Sequence, residues 1–309
     1  MNIVSVIQAG SDPFHTDQTL LRVADWLSDA RRDGAGLAVF PEAFVGGYPK
    51  GVDFGARVGS RNEAGRELFR LYADNAVTLG SPRFEALQDA VRSNGIACLV
   101  GAIEKRGGTL YCSTLGFETD GRLLGVHRKL MPTAMERLIW GMGDGNDLPV
   151  MESSVGRLVS AICWENYMPL LRAHYYAHNP DFYCVSTVDD RAVWLPSMQM
   201  IALESRSFVL SACQYLERGM ISLDSSQFEA IQGGAADTIL INGGSCILGP
   251  MGQVLAGPLW GTEGVLTAEV DLGDRTRGQF DLDTAGHYGR PDVFDFGLRG
   301  ERGSRPSGT

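Results

Sequence analysis

The chain has 309 residues, of which 44% are hydrophobic and 21% charged, and its formal net charge is −10 at pH 7. An acidic surface repels phosphate backbones, and no cluster of Lys and Arg offsets that charge, so nucleic acid is not an expected partner. No run of about 18 apolar residues and no basic leader occur, so we expect a cytoplasmic protein with no membrane partner.

The cysteines and histidines indicate neither a disulfide framework nor a metal site. The spacing of the histidines does not match a metal-ligand pattern, and the sequence lacks the six-residue glycine fingerprint of dinucleotide binding. We therefore expect reduced thiols, no metal and no organic cofactor. The six cysteines stand at positions 98, 112, 163, 184, 213 and 246.

The first half of the chain predicts a β-α-β start followed by hairpins. A strand at NIVSVIQAG precedes an amphipathic helix over Thr16 to Arg32, and LAVF reads as a short buried strand. A second helix is predicted over Pro82 to Ser93, with Gly95 just after its end. Three strand-like runs follow, ACLVGAIEK, TLYCSTLGFE and RLLGVHRKL, and the Gly-containing turns between them predict an antiparallel meander.

The second half repeats this alternation. Strands are predicted at RLVSAIC, FYCVS, SFVLSAC and near Ile239 to Leu248 and Val265 to Val270, with helices near Pro169 to His178 and Leu195 to Ser205. Two mixed sheets, each with helices on one face, can bury their bare faces against one another. We therefore predict an α/β fold, an α-β-β-α sandwich in a single domain spanning residues 1–309.

Three stretches show weaker patterns. Gly46 to Gly65 is rich in glycine and Glu217 to Asp237 is polar and mixed, so both are predicted as loops or interface segments. From about residue 272 the periodicity fades, which predicts a C-terminal extension, and the polar end GLRGERGSRPSGT is expected to be disordered.

Glu42 follows the strand LAVF through Pro41 and so lies at the carboxyl end of a strand, where α/β sheets place reactive groups. A partly desolvated carboxylate there can act as a base, although this motif alone favours a turn carboxylate that caps the loop FVGGYPKG. Lys129 ends the third meander strand, and an ammonium near a nucleophile would lower its pKa and stabilise an oxyanion. The alternative is a solvated Lys beside His127 and Arg128.

Cys163 ends the strand RLVSAIC and precedes the helix-prone WENYMPLLRAH, which predicts a thiol on a strand-to-helix turn. A helix N-terminus, a cation or a base can raise the thiolate fraction there, and the N–H of Trp164 can face developing charge. A buried structural cysteine and a papain-like pairing with a distant histidine both stay open at this point.

Three segments together resemble the nitrilase branch of the carbon–nitrogen hydrolase superfamily. They are VFPEAFVGGYPKG, HRKLMPTAMERLIWGMGDG and AICWENYMPLLR. The order Glu42, Lys129, Cys163 and the intervals of 87 and 34 residues are similar to those of the family. The resemblance continues through STVDDRAVWLPSMQMIALESRSFVLSACQ, INGGSCILGPMGQVLAGP and GHYGRPDVF, so it covers nearly the whole chain.

The resemblance implies a hydrolase that converts an organic nitrile to a carboxylic acid and ammonia through a thioimidate and a thioester. Cys163 would be the nucleophile, Glu42 the general base and Lys129 the charge-stabilising group, with Glu136 as the second active-site glutamate. This mechanism needs no metal or cofactor. Dimers that extend into spirals or filaments are implied as well, and the short tail makes a homodimer the safer minimum.

Pocket candidates are aromatic and polar residues close to these motifs, since aromatic walls with a few polar groups suit an organic nitrile. They are Tyr48, Thr133, Trp164 and Trp194, and core packing is the alternative for each tryptophan. Asn166 stands where cyanide-degrading and many arylacetonitrile-hydrolysing relatives have His, which favours larger aliphatic or arylaliphatic nitriles.

Two other functions compete with this one. An amidase or carbamoylase of the same superfamily would share the catalytic residues, and a nitrile-hydrolysing enzyme can also release some amide. A non-catalytic scaffold has no chemical need for a retained Glu42, Lys129 and Cys163, so the sequence disfavours it.

Overall fold

The computed structural model describes residues 2–223 and 232–298. Within them the helices are α1 (Thr16–Arg32), α2 (Glu63–Asp74), α3 (Pro82–Asn94), α4 (Pro169–Ala177), α5 (Trp194–Ser205) and α6 (Gly273–Gln279). The strands are β1 (Asn2–Gln8), β2 (Leu37–Val39), β3 (Ala97–Arg106), β4 (Thr109–Phe117), β5 (Leu123–Arg128), β6 (Met151–Ser153), β7 (Gly156–Ile162), β8 (Phe182–Thr187), β9 (Phe208–Cys213), β10 (Tyr215–Glu217), β11 (Ile239–Leu248), β12 (Val254–Trp260) and β13 (Gly264–Val270).

Local sequence accounts for the helices that were predicted well. Leu20, Val23 and Leu27 of α1 are buried, as their helical spacing requires. Helix α3 begins after Ser81, whose hydroxyl accepts a hydrogen bond from a backbone N–H of the first turn. It ends at Gly95, which takes the left-handed conformation (φ +62°) that favours glycine.

The strands form two mixed sheets. The first has the order β13-β1-β2-β3-β4-β5, in which β1, β2 and β3 run parallel and the other neighbours antiparallel. The second has the order β10-β11-β9-β8-β7-β6, with β12 also paired to β11. Its centre, β7 to β9, is parallel. The predicted antiparallel meander of β3, β4 and β5 is confirmed.

The two sheets pack face to face between helical layers. Val4, Val6 and Leu99 from the first sheet share a buried cluster with Phe182 and Leu210 from the second. Apolar residues of α1 and α3 cover the outer face of the first sheet, and those of α4 and α5 cover the second. This is the predicted α-β-β-α sandwich, and no helix of the described residues is long and apolar enough to cross a membrane.

The structure differs from the sequence prediction in several elements. Strand β13 was predicted with the second half but pairs along β1, so the two halves are joined through the first sheet. Helix α2 begins inside the stretch predicted as irregular, capped by Asn62, whose side chain accepts from Gly65 N at 2.7 Å. Helix α6 and the short strands β6, β10 and β12 had no clear periodicity. The predicted loop Glu217 to Asp237 and the predicted disordered tail lie partly outside the described residues.

Candidate active site

The three predicted catalytic residues meet at the carboxyl ends of strands from both sheets. Glu42 follows β2, Lys129 follows β5 and Cys163 follows β7. Glu42 and Lys129 are fully buried, and Cys163 is only 4% exposed. Parallel strands end at one edge of a sheet, and packing two such sheets together brings both edges to one site.

Lys129 is held between two carboxylates. Its Nζ donates to Oε1 of Glu42 at 2.7 Å and to Oε2 of Glu136 at 2.8 Å. Glu136 also accepts from the Tyr48 hydroxyl at 2.9 Å and from the Thr133 backbone N–H at 2.6 Å. Four of the residues predicted to form the site therefore make one hydrogen-bonded cluster around a buried ammonium.

Glu42 keeps one oxygen free. Its Oε1 accepts from Lys129 and lies 3.6 Å from the Cys112 thiol, but its buried Oε2 has no hydrogen-bond partner among the described residues. A side-chain hydrogen bond from the Cys163 thiol to the carboxylate lowers the Glu42 pKa, so the two groups are in contact. An unpaired buried carboxylate oxygen is costly in a purely structural network, and here it is an available proton acceptor beside a thiol.

Cys163 sits on a sharp turn, as predicted. Its φ of +50° is in the left-handed region, which is rare for a residue with a side chain, and a 3₁₀ helix over Cys163–Tyr167 follows it directly. The side chain of Asn166 donates to the Cys163 carbonyl at 2.8 Å, and the hydroxyl of Thr187 is hydrogen-bonded to the thiol. Hydrogen bonds therefore hold both the backbone and the side chain of Cys163 in this strained conformation.

A buried carboxylate ties this turn to the Lys129 segment. Glu165 accepts from the Leu130 N–H at 2.6 Å and from the Ile162 N–H at 2.8 Å. His127 completes the arrangement, with Nε2 2.8 Å from Glu165 and Nδ1 2.6 Å from the Asp147 carbonyl. His127 therefore bonds to Glu165, which excludes it as a papain-like partner of Cys163.

Burial dominates the electrostatics of the reacting groups. It raises the pKa of Glu42 to about 7, against the opposing effect of the Lys129 charge. Burial alone would lower the pKa of Lys129, but the charges of Glu42, Cys163 and Glu136 raise it well above its ordinary value. The lysine therefore stays an ammonium while the carboxylate titrates near neutrality.

Lys129 lowers the pKa of the Cys163 thiol, as expected, but other contributions outweigh this effect. Burial raises the pKa of the Cys163 thiol and the charge of Glu42 raises it further, while Lys129 lowers it less. Two carboxylates already compensate the ammonium, so little positive potential is left for the sulfur. The Cys163 thiol is therefore neutral at rest, and it would need a base to act as a nucleophile.

The four pocket candidates have different surroundings. Tyr48 lines a cavity of about 350 Å³, together with Glu136 and Trp140. Thr133 caps the 3₁₀ helix that carries Glu136, and Trp164 is 44% exposed next to the nucleophile. Trp194 does not join them, because it is buried in the layer between α4, α5 and the second sheet, with Nε1 bonded to the Ser211 hydroxyl at 3.0 Å. The core interpretation applies to that residue.

Several site residues were not predicted from the sequence. Trp140 lies under Lys129, with 5.8 Å between Nζ and the ring centroid. Gln214 donates to the Glu42 carbonyl at 2.7 Å, and the Thr187 side chain is hydrogen-bonded to the Cys163 thiol. Gln214 and Thr187 follow or end strands β9 and β8, so their position at the same sheet edge as Cys163 was the available signal.

The chain is similar in sequence to known carbon–nitrogen hydrolases. The carbon–nitrogen hydrolase family model matches residues 3–278. A nitrilase of Bradyrhizobium diazoefficiens is 51% identical over 94% of this chain and 89% of its own length. An arylacetonitrilase of Trametes versicolor is 46% identical over 96% of each chain.

A solved structure shows the same fold at low sequence identity. It is a mutant of a Nesterenkonia amidase from the nitrilase superfamily, with a TM-score of 0.69, 18% identity and coverage of 93% of this chain and 96% of that one. The family predicted from the sequence resemblance and the predicted α-β-β-α sandwich are both confirmed. The match over residues 3–278 and the long, closely similar relatives establish that this chain belongs to the nitrilase branch of the carbon–nitrogen hydrolase family.

Proposed function

We propose that this protein is a nitrilase that hydrolyses an organic nitrile to the carboxylic acid and ammonia, with Cys163 as nucleophile. The observation that carries the assignment of roles is the buried cluster in which Lys129 bridges Glu42 and Glu136 while Glu42 Oε2 stays unpaired near the thiol. The identity of 51% to a nitrilase over most of both chains supports the substrate class.

The first half of the reaction uses Glu42 twice. As the Cys163 sulfur bonds to the nitrile carbon, its proton passes to Glu42 and from there to the nitrile nitrogen, which gives a thioimidate. Glu42 then takes a proton from an attacking water, and the tetrahedral adduct forms with its nitrogen protonated. A carboxylate whose pKa is about 7 is suited to both directions of transfer near neutral pH.

The second half releases the products. The tetrahedral adduct expels ammonia and leaves a thioester on Cys163. A second water, again deprotonated by Glu42, hydrolyses the thioester to the acid and restores the thiol. Lys129 is an ammonium throughout and stabilises the charge that develops on each tetrahedral adduct, while Glu136 and Tyr48 hold it in position.

We also propose a cytoplasmic homodimer. All six cysteines are buried and unpaired, which is what a reducing compartment gives. Helices α4 and α5 expose Leu170 (69%) and Met200 (55%), and exposed apolar side chains favour association with another copy. Extension of such dimers into a spiral belongs to the same proposal, and light scattering of the purified protein measures both.

The decisive experiment measures ammonia and acid release from aliphatic, aromatic and arylacetic nitriles and from their amides. The variants are Cys163→Ala and Cys98→Ala, the second being a matched control because Cys98 is an equally buried thiol in β3. Loss of nitrile turnover only in Cys163→Ala supports the proposal. Turnover of amides alone would reassign the protein as an amidase, and full activity in Cys163→Ala would refute the nucleophile.

A further inference from the structure

The residue after the nucleophile is held in an unusual way for a partly exposed side chain. Trp164 is 44% exposed, yet its indole Nε1 donates to Oδ2 of Asp189 at 2.8 Å. The guanidinium of Arg191 lies over the ring face, 4.8 Å from its centroid. Tyr167 meets the same indole edge-on, with 6.1 Å between the ring centroids.

Asp189 and Arg191 are themselves locked together. Arg191 Nε donates to Oδ1 of Asp189 at 2.8 Å and Nη2 donates to Oδ2 at 2.5 Å, which is a two-pronged ion pair. The Asp189 side chain is 3% exposed and that of Arg191 is 49% exposed. The carboxylate is therefore anchored inside the protein, and the arginine extends outward over the indole.

The same loop reaches the nucleophile. The Asp189 backbone N–H donates to the Thr187 hydroxyl at 2.9 Å, and that hydroxyl is hydrogen-bonded to the Cys163 thiol. The end of β8 and the two residues after it thus contact both the thiol and the neighbouring indole. Because Arg191 occupies one face of the ring, a planar group approaching Cys163 can stack only on the other face.

We propose that Asp189 and Arg191 are positioning residues that hold Trp164 as a wall beside Cys163, and that this clamp sets a preference for aryl-bearing over small aliphatic nitriles. The inference rests on the proposed function for its substrate class. Arg191 acts through Trp164 and not by contacting the substrate, because its guanidinium is already occupied by Asp189 and the indole.

The test compares phenylacetonitrile with propionitrile in the variants Arg191→Ala and Arg191→Lys. Arg290→Ala is the matched control, since Arg290 makes the same two-pronged pair with Asp292, two residues away, at 2.8 and 2.7 Å. We expect Arg191→Ala to raise KM for phenylacetonitrile about three- to tenfold with kcat changed less than about twofold, and to affect propionitrile less. Lysine keeps the charge but not the planar fork, so Arg191→Lys should be intermediate.

A double-mutant cycle separates positioning from general damage. In a Trp164→Leu background, Arg191→Ala should produce no further loss of aryl preference, because the side chain it positions is gone. An undiminished effect in that background would overturn the proposal. So would equal changes for both nitriles, a similar change in Arg290→Ala, or a loss confined to nitriles that carry a carboxylate, which would indicate direct binding by Arg191.

A second readout does not depend on nitrile turnover. The rate at which 2-bromoacetophenone alkylates Cys163, relative to iodoacetamide, reports access of an aryl group to the thiol. Arg191→Ala should lower that ratio and Arg290→Ala should not, and an unchanged ratio would refute the clamp. If the wild type hydrolyses no nitrile while the ratio still responds to Arg191→Ala, the proposed function fails and the clamp stands.

Discussion

Arg128 and Lys129 are adjacent in sequence, and each places a cation between two carboxylates, but the two clusters are built differently. Arg128 donates to both oxygens of Glu104 at 2.6 and 2.7 Å and to Asp147 at 2.6 Å. Ser113 adds a further hydrogen bond to Glu104. In the Lys129 cluster, by contrast, Oε2 of Glu42 accepts nothing among the described residues.

The difference separates a structural network from a reactive one. A fully satisfied buried network stabilises one arrangement, and every proton in it has a fixed position. A network with an unpaired acceptor beside a thiol has a place for one more proton, at a cost in stability. The adjacent positions of the two basic residues in the sequence do not predict which cluster has the unpaired acceptor. The clusters differ in the carboxylates that surround each cation and not in the cations themselves.

The largest expected effect comes from removing the free acceptor. Glu42→Gln preserves shape but cannot take a proton, so kcat for nitrile hydrolysis should fall at least about a thousandfold, as loss of a general base does. Glu104→Gln in the Arg128 cluster should instead keep kcat within about threefold and lower the midpoint of denaturant unfolding. Comparable kcat values for the two variants would break the comparison.

Replacing Arg128 and Lys129 in turn sharpens the comparison between the two clusters. Arg128→Met leaves Glu104 buried without a countercharge and should lower the free energy of unfolding by about 3–5 kcal/mol. Lys129→Met should abolish turnover but lower that free energy by less, about 1–2 kcal/mol at pH 7, because Glu42 can take up a proton. Urea unfolding of both variants measures the difference, and a larger loss in Lys129→Met would contradict it.

The pH dependence follows from the same carboxylate. The base form of Glu42 is the deprotonated one, so its pKa of about 7 predicts that kcat/KM falls as pH decreases through that value. Below it the loss should approach about tenfold per pH unit for a single proton. A wild-type profile that stays flat between pH 8 and pH 5 would show that Glu42 is not the base.

The smallest expected effect comes from removing the Thr187 hydroxyl, which is hydrogen-bonded to the Cys163 thiol. Thr187→Val keeps the β-branched shape but removes the hydrogen bond to the Cys163 thiol, which should lower kcat about three- to tenfold with little change in KM. Serine at this position retains the hydroxyl and is the control. An unaltered kcat in Thr187→Val would mean that the contact has no role in the reaction.

Local pattern was sufficient to predict most elements, and family resemblance was needed to propose the reactive residues. The spacing of Leu20, Val23 and Leu27 predicted α1 with the bounds observed, and the Gly-containing turns predicted the β3–β5 meander. Glu42, Lys129 and Cys163 were identified from their positions at strand ends and from family resemblance. Short elements such as β6 and β10 were missed because three residues carry too little periodicity.

What the sequence by itself determined is the alternation of elements, the sandwich and the three residues proposed to carry the chemistry, since burial patterns and strand ends are local properties. Only the tertiary structure decided that β13 pairs with β1, that Trp194 is core and that burial raises the Cys163 pKa. It also decided which carboxylate oxygen stays free. These depend on contacts between residues far apart in the chain, and on the exclusion of water around them, which no local pattern encodes.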